Sequence, residues 1–325
     1  MTDSLLRKMI SPDYWPRIPS ALRGRARTAL LSARAFPTRL SAWSAFRRHI
    51  REYRVLREDE LRSRRRSDTV FVFGSGASLN ALTPEEWRAI ERHDTVGFNW
   101  FVHQRFVHCD FQLFGEIGGD DLDAAMWRPH IRSYFDLVDA NPRFDGTVFL
   151  VQTGFRAING NRAIGLRLLS PARPVFLWRR LRDRVEPSRS LDEGLVHAHG
   201  SLADAVNFAF VLGWKTIVLA GVDLYDRRYF WLKPDELRAD EIRPHAPPPP
   251  DLISVNSRHN TADTGLIELL GSWRERFARE GVQLFVYNPR SLLARTVPVW
   301  PAGRRLALDA ASGERRTTNR ETLQS

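Results

Sequence analysis

Two rhythms of apolar and polar positions divide the chain. From residue 69 onward, short continuous apolar runs alternate with stretches of helical length. "TVFVF" (69–73), "TVGFNWF" (95–101), "DFQLF" (110–114), "GTVFLVQ" (146–152), "KTIVLAGVDLY" (215–225) and "VQLFVYNP" (282–289) read as strands. The run at 215–225 is apolar without alternation, as in a strand covered on both faces.

The segments between them carry helix signals. In "TPEEWRAIERH", Thr83 and Glu86 form a capping box and Pro84 suits the first helical position. "GSLADAVNFAFVLGW" (200–214) is apolar nearly all round and predicts a buried helix. "TADTGLIELLGSWRERFAREG" (261–281) is amphipathic and ends on glycine. Strands that alternate with helices predict a single Rossmann-like α/β domain over 68–302, a mainly parallel sheet with helices on both faces.

Residues 1–67 follow the other rhythm. "LRGRARTALLSARAF" and "LSAWSAFRRHIREYRVLREDELRSRRR" set Leu, Ala, Trp and Phe three and four apart among arginines. Such a basic amphipathic helical arm either lies on an anionic membrane surface or packs on the domain or on another subunit, as in a homo-oligomer. "IRPHAPPPPD" (242–251) favours polyproline II and sits where a lid (about 226–260) or a passive loop would run. The polar segment 303–325 reads as a disordered tail.

Charge sharpens this division. The 325 residues carry a net charge of +11. Residues 1–67 hold 17 basic and 6 acidic side chains, and the remaining 258 hold 32 of each. The balanced main body argues against nucleic-acid binding. Cys109 is the single cysteine, so neither an intrachain disulfide nor a cysteine zinc site can form. The N-terminus lacks an apolar signal core, and no run of about 20 apolar residues occurs. These features lead us to expect a cytoplasmic protein, peripheral at the inner membrane.

Candidate chemistry gathers at predicted strand ends, where open α/β sheets bind ligands. Gly74-Ser75-Gly76-Ala77-Ser78 follows the first strand and is either a tight turn or a phosphate cradle. It lacks the third glycine of the dinucleotide fingerprint and the Gly-Lys-Ser/Thr of a Walker A loop. Asn99 and Trp100 end the second strand; Asn99 suits a base or sugar hydroxyl, or a local turn. Ser201 opens the buried helix as a plain cap or as one that also donates to a ligand. Asp223 and Tyr225 follow the fifth strand, where Asp223 either positions substrate or holds the loops around it. His259, beside Arg258, precedes the last helix as a general base, a phosphate ligand or a plain loop residue. Asp121 and Asp123 read as helix-capping acids rather than a metal pair, so no metal site is expected.

Together these pieces resemble the bacterial sialyltransferases of glycosyltransferase family 42. They are similar also to the wider group of flagellin-modifying glycosyltransferases and pterin pyrophosphokinase-like proteins. The resemblance runs over about 69–296 and rests on "GSGAS-L", the strand ending in Asn99, Gly200-Ser201 running to "LGW", "IVLAGVDLY", "HNTAD" and "GVQLFVYNPRSLLA". It implies an inverting transfer of a sialic-acid-like sugar from a CMP-sugar donor to a bacterial surface glycan or glycolipid, with no cofactor required. It further implies that Gly74 to Ser78, Asn99 and Ser201 hold the nucleotide, that Tyr225 and Tyr229 contact the donor phosphate, and that His259 is the base. This chain departs from the pattern in Ala77, where the family has proline, and in Gly115-Glu116, where it has asparagine. The histidine spacing is also shifted, so His245, His197 and His199 stay open as alternatives. Two other functions are carried forward: a pterin pyrophosphokinase-like phosphotransferase and a non-catalytic, membrane-associated binding protein.

Overall fold

The computed structural model describes residues 20–115, 124–181, 183–225, 228–232 and 260–301. In chain order, α1 (Ser20–His49) and α2 (Glu58–Arg62) lead to β1 (Thr69–Phe73), α3 (Pro84–Ile90) and β2 (Asp94–Phe98). β3 (Phe111–Phe114), α4 (Ala124–Asp139), β4 (Val148–Gln152), α5 (Ile158–Gly165) and β5 (Val175–Trp178) follow. Next come β6 (Arg180–Leu181), β7 (Leu195–Val196), α6 (Ser201–Leu212), β8 (Thr216–Ala220), α7 (Leu266–Arg279) and β9 (Gln283–Val286).

Seven strands form one sheet in the order β5-β4-β3-β2-β1-β8-β9, and every neighbouring pair is parallel. The fold is a single Rossmann-like α/β domain with helices on both faces. β1 shows why its sequence makes a central strand. Its β-branched and aromatic residues alternate between two cores, Val70 and Val72 on one face, Phe71 and Phe73 on the other. On the first face lie α6 and α7, joined by the Phe210 and Phe277 rings stacked at 4.2 Å. Every residue of α6 from Leu202 to Leu212 is buried, as its all-round apolar pattern requires. α3, α4 and α5 cover the second face through Trp87, Phe135 and Ile164. The capping box of α3 forms as read: Glu86 N–H donates to Thr83 Oγ1 at 3.3 Å, and Thr83 N–H to Glu86 Oε2 at 2.8 Å.

Several elements are shorter than the apolar runs that announce them. β2 stops at Phe98, where a 3₁₀ turn (Asn99–His103) begins. β8 stops at Ala220 because Gly221 turns into the left-handed region with φ +64°. α7 starts at Leu266, after a 3₁₀ turn and Gly265 at φ +90°. β5 and α5 have no counterpart in the sequence reading.

From residue 35 onward α1 is packed on the domain. Ala35, Ala42 and Phe46 are buried, and Gly165 of α5 meets the Ala45 backbone so closely that an added Cβ would lie 2.7 Å away. Tyr53 Oη donates to the Leu169 carbonyl at 2.6 Å, and Val55 bridges to Val175 at the sheet edge. Among the described residues no helix is long and apolar enough to cross a membrane.

The strand order places the site. The chain steps outward from β1 to β5, then returns to set β8 on the other side of β1. Loops leaving β1 and β8 therefore diverge, and a crevice opens beyond their carboxyl ends.

Candidate functional site

That crevice holds a cleft of about 190 Å³, open to solvent. Its walls come from five loops: Gly74, Ser75 and Gly76 after β1; Phe98, Asn99 and Trp100 after β2; Ser201 and Leu202 at the start of α6; Gly221 to Leu224 after β8; Thr261 and Leu266 before and in α7. Arg228 and Tyr229 complete it.

The glycine turn is first of all an interlock. Gly74 N–H donates to the Ala220 carbonyl at 2.8 Å, and Gly76 N–H to the Gly221 carbonyl at 2.7 Å. Ser78 N–H donates to Asp223 Oδ2 at 2.9 Å. A Cβ on Gly74 would meet the Gly221 oxygen at 2.5 Å, and one on Gly76 would meet Asp223 Oδ2 at 2.4 Å. These glycines are required because two loops touch there, and three amides that an anion would use are engaged by the protein itself.

Asp223 is the centre of this interlock. It is 3% exposed, and its other oxygen accepts from Asn288 Nδ2 at 2.8 Å. Both oxygens thus hold loops, which gives Asp223 the loop-holding role while it still lines the cleft. Asn288 also reaches Tyr225 Oη at 3.4 Å, and the Arg290 guanidinium stands over the Tyr225 ring at 5.5 Å.

A strap crosses the glycine turn. Tyr229 bridges to Gly76, and Phe230 N–H donates to the Ser75 carbonyl at 3.1 Å. Asn80 Nδ2 ties the Phe230 carbonyl at 2.8 Å. Three rings then form a ladder: Tyr229 stacks on Trp231 at 4.6 Å, and Trp231 on His103 at 4.5 Å.

Backbone strain marks the same place. Among the described residues four non-glycine residues have positive φ: Asn99 (50°), His199 (63°), Leu224 (61°) and Arg167 (52°). Asn99 and Leu224 line the cleft, and His199 lies two residues before Ser201. Such conformations cost about 1–3 kcal/mol each and gather at functional sites.

No protein-family model matches the chain, and no curated protein does.

Gly74, Ser75, Gly76, Asn99, Trp100, Ser201, Asp223 and Tyr229 thus converge on one cleft. Ala77 and Ser78 stand behind it in a 3₁₀ turn. Ser201 is not the cap of α6; Gly200 is, with φ +135°, and Ser201 is the first helical residue. Of the histidines, His197 sets Nδ1 2.7 Å from Asp204 Oδ2. The His199 ring lies 3.5 Å from where a Gly265 Cβ would be. His245, Arg258, His259, Asp121, Asp123 and most of the 226–260 segment lie outside the described residues. The sequence reading missed Gly221, Arg228, Thr261 and Asn288. "NPRS" after β9 holds a turn-forming Asn-Pro pair, a signal that marks a loop but not its partner. Among the described residues no three His, Cys, Asp or Glu side chains gather to hold a metal ion.

Proposed function

We propose that the protein is a glycosyltransferase that binds a CMP-activated, sialic-acid-like sugar in this cleft and transfers it with inversion to a surface glycan or glycolipid. One observation carries the reading: residues from four separate motifs, Gly74–Gly76, Asn99, Ser201 and Asp223, meet at the topological switch point. Neither motif spacing nor composition requires that meeting.

The proposed roles follow from position. Asn99, held at φ +50°, offers its amide to the base or ribose. Arg228 and Tyr229, on the strap, supply positive charge and a hydroxyl to the phosphate that departs. The acceptor hydroxyl needs a base, for which a histidine near its ordinary pKa is suited at neutral pH. With membrane-linked acceptors, the arginine-rich arm would hold the enzyme at an anionic bilayer surface.

Thermal shift with CMP, CDP, UDP and ATP tests the reading. At about 100 times its Kd, a nucleotide adds about 2.7 kcal/mol, a rise of about 5 °C or more in Tm for a domain of this size. CMP or CDP is expected to give that rise. Asn99→Gly is the informative variant, because glycine accepts positive φ and removes only the amide. It is expected to fold normally and lose the rise. Preference for UDP or ATP overturns the donor, and ATP preference favours the phosphotransferase reading.

A further inference from the structure

Phe36 and Leu40 lie one turn apart on α1 and are 52% and 50% exposed. Phe155, from the loop between β4 and α5, is exposed as well, and its ring meets that of Phe36 at 5.6 Å. Three large apolar side chains thus share one surface patch, the kind of feature that marks an interaction site. The same line of α1 continues through half-buried Trp43 to exposed Arg47, whose guanidinium stands over the Trp43 ring at 6.0 Å. Steps of four, three and four residues keep Phe36, Leu40, Trp43 and Arg47 on one face of the helix. Ala35, Ala42 and Phe46 are buried on its inner side, against the domain.

Charge around the patch has one sign. From Ser20 to Arg51 the chain holds eight arginines and no Asp or Glu. Arg47, Arg48 and Arg51 are exposed and make no ion pair among the described residues, and Arg156 is exposed beside Phe155. The next acid along the chain, Glu52, is engaged by Arg167 and His49. The patch also has a definite place on the domain. Phe36 lies by the loop that enters α5 and Ala45 by Gly165 at its end, so α1 runs antiparallel to α5. Because α5 follows the carboxyl end of β4, the patch stands at the rim of the sheet where the cleft opens, and the exposed arginines of α1 trail toward the amino rim.

The pairing of apolar and cationic groups selects the occupant. A nucleic acid would use the arginines but leave Phe36 and Leu40 in water. A second copy of the chain, docked face to face, would set arginines against arginines. An anionic bilayer satisfies both groups: its phosphates meet the arginines while the rings and Leu40 enter the boundary between headgroups and acyl chains. We infer, resting on the membrane role proposed above for the arm, that this face of α1 together with Phe155 docks on an anionic lipid surface and carries the rim of the cleft to it.

Co-sedimentation of the full chain, without nucleotide, tests this with vesicles of phosphatidylcholine alone and of equal parts phosphatidylcholine and phosphatidylglycerol. Binding is expected to the anionic vesicles and not to phosphatidylcholine alone. The double variant Phe36→Ser, Leu40→Ser leaves every charge in place. It is expected to weaken binding about tenfold or more, from the apolar area kept out of the bilayer. Both positions are exposed, so the variant should keep the wild-type Tm. Arg47→Gln should weaken binding about fivefold. Anionic binding that the double variant leaves unchanged means attraction by the arm's charge alone; it overturns the docking surface while the arm's membrane role stands. No vesicle binding overturns both. A dimer in sedimentation equilibrium that the double variant abolishes, without vesicle binding, makes a second copy the occupant and overturns the lipid surface. Tight binding to duplex DNA with none to vesicles does the same in favour of a nucleic acid. None of these outcomes touches the nucleotide reading, which the thermal shifts decide separately.

Discussion

The two ends of the sheet bury their polar groups differently. At the amino end, Asp94 is fully buried at the start of β2, and its carboxylate accepts from Arg66 N–H (3.0 Å), Ser67 N–H (3.1 Å) and Trp214 Nε1 (2.7 Å). Asp110, before β3, accepts from Thr95 N–H at 2.9 Å and from the Arg66 guanidinium at 2.8 Å. These bonds engage both carboxylates and close the end of the fold. At the carboxyl end, Asp204 and Gln152 each keep an unpartnered oxygen, and burial pushes the Asp204 carboxyl above its ordinary pKa. Asn99 and Leu224 are held there at positive φ. One end bonds its carboxylates. The other leaves carboxylate and amide oxygens unbonded and holds residues at positive φ, which is the pattern of a site that keeps bonding capacity for something else.

Substitutions can break this contrast, and the largest effect belongs to the amino end. Asp94→Ala strands the Trp214 indole N–H and two amides in the interior. We expect a loss of about 3–5 kcal/mol in urea unfolding. An unchanged unfolding midpoint would erase the difference between the ends.

Gly76→Ala comes next. As the cap of the 3₁₀ turn, Gly76 has φ −68°, so alanine meets no penalty in φ, but its Cβ would lie 2.4 Å from the Asp223 carboxylate and 2.8 Å from the Gly221 carbonyl oxygen. It should cost about 1–3 kcal/mol. The CMP-induced rise in Tm should shrink with it, because Asp223 is displaced from Ser78 N–H. Unchanged unfolding would show that the interlock is not needed.

The smallest effect is expected at Glu52, away from both ends, where α1 is tethered. The Arg167 guanidinium first, and His49 second, hold its carboxyl at about 2, down from 4.5. A depressed acid pKa adds stability that is full above the ordinary value and is lost as pH falls through the folded one. Stability should therefore decline from about pH 4.5 towards pH 2 through this pair. Glu52→Gln should flatten that decline and change little at pH 7, since the pair is exposed. A pH series of unfolding midpoints decides it.

How far the fold could be read from sequence varied with how local its causes are. Runs such as "TVFVF" and the Thr83–Glu86 box depend on neighbours within a turn or two, and they formed where the pattern put them. β5 is four residues hemmed by arginines, too short a run to announce itself. α5, "INGNRAIG", carries two glycines and two asparagines and so has little helical propensity of its own. It is a helix because Gly160 packs on the Gln152 carbonyl and Gly165 on α1.

The candidate site divides in the same way. By itself the sequence determined that glycine turns, an asparagine, a serine and an aspartate end strands or begin helices in a parallel α/β order. Only the tertiary structure decided that they share one cleft, that Asp223 closes loops while Asp204 keeps a free oxygen, and that Arg228 and Asn288 belong beside them. Periodicity and caps act between near neighbours in the chain. Which buried oxygen finds a partner depends on elements far apart in sequence, and only packing brings those together.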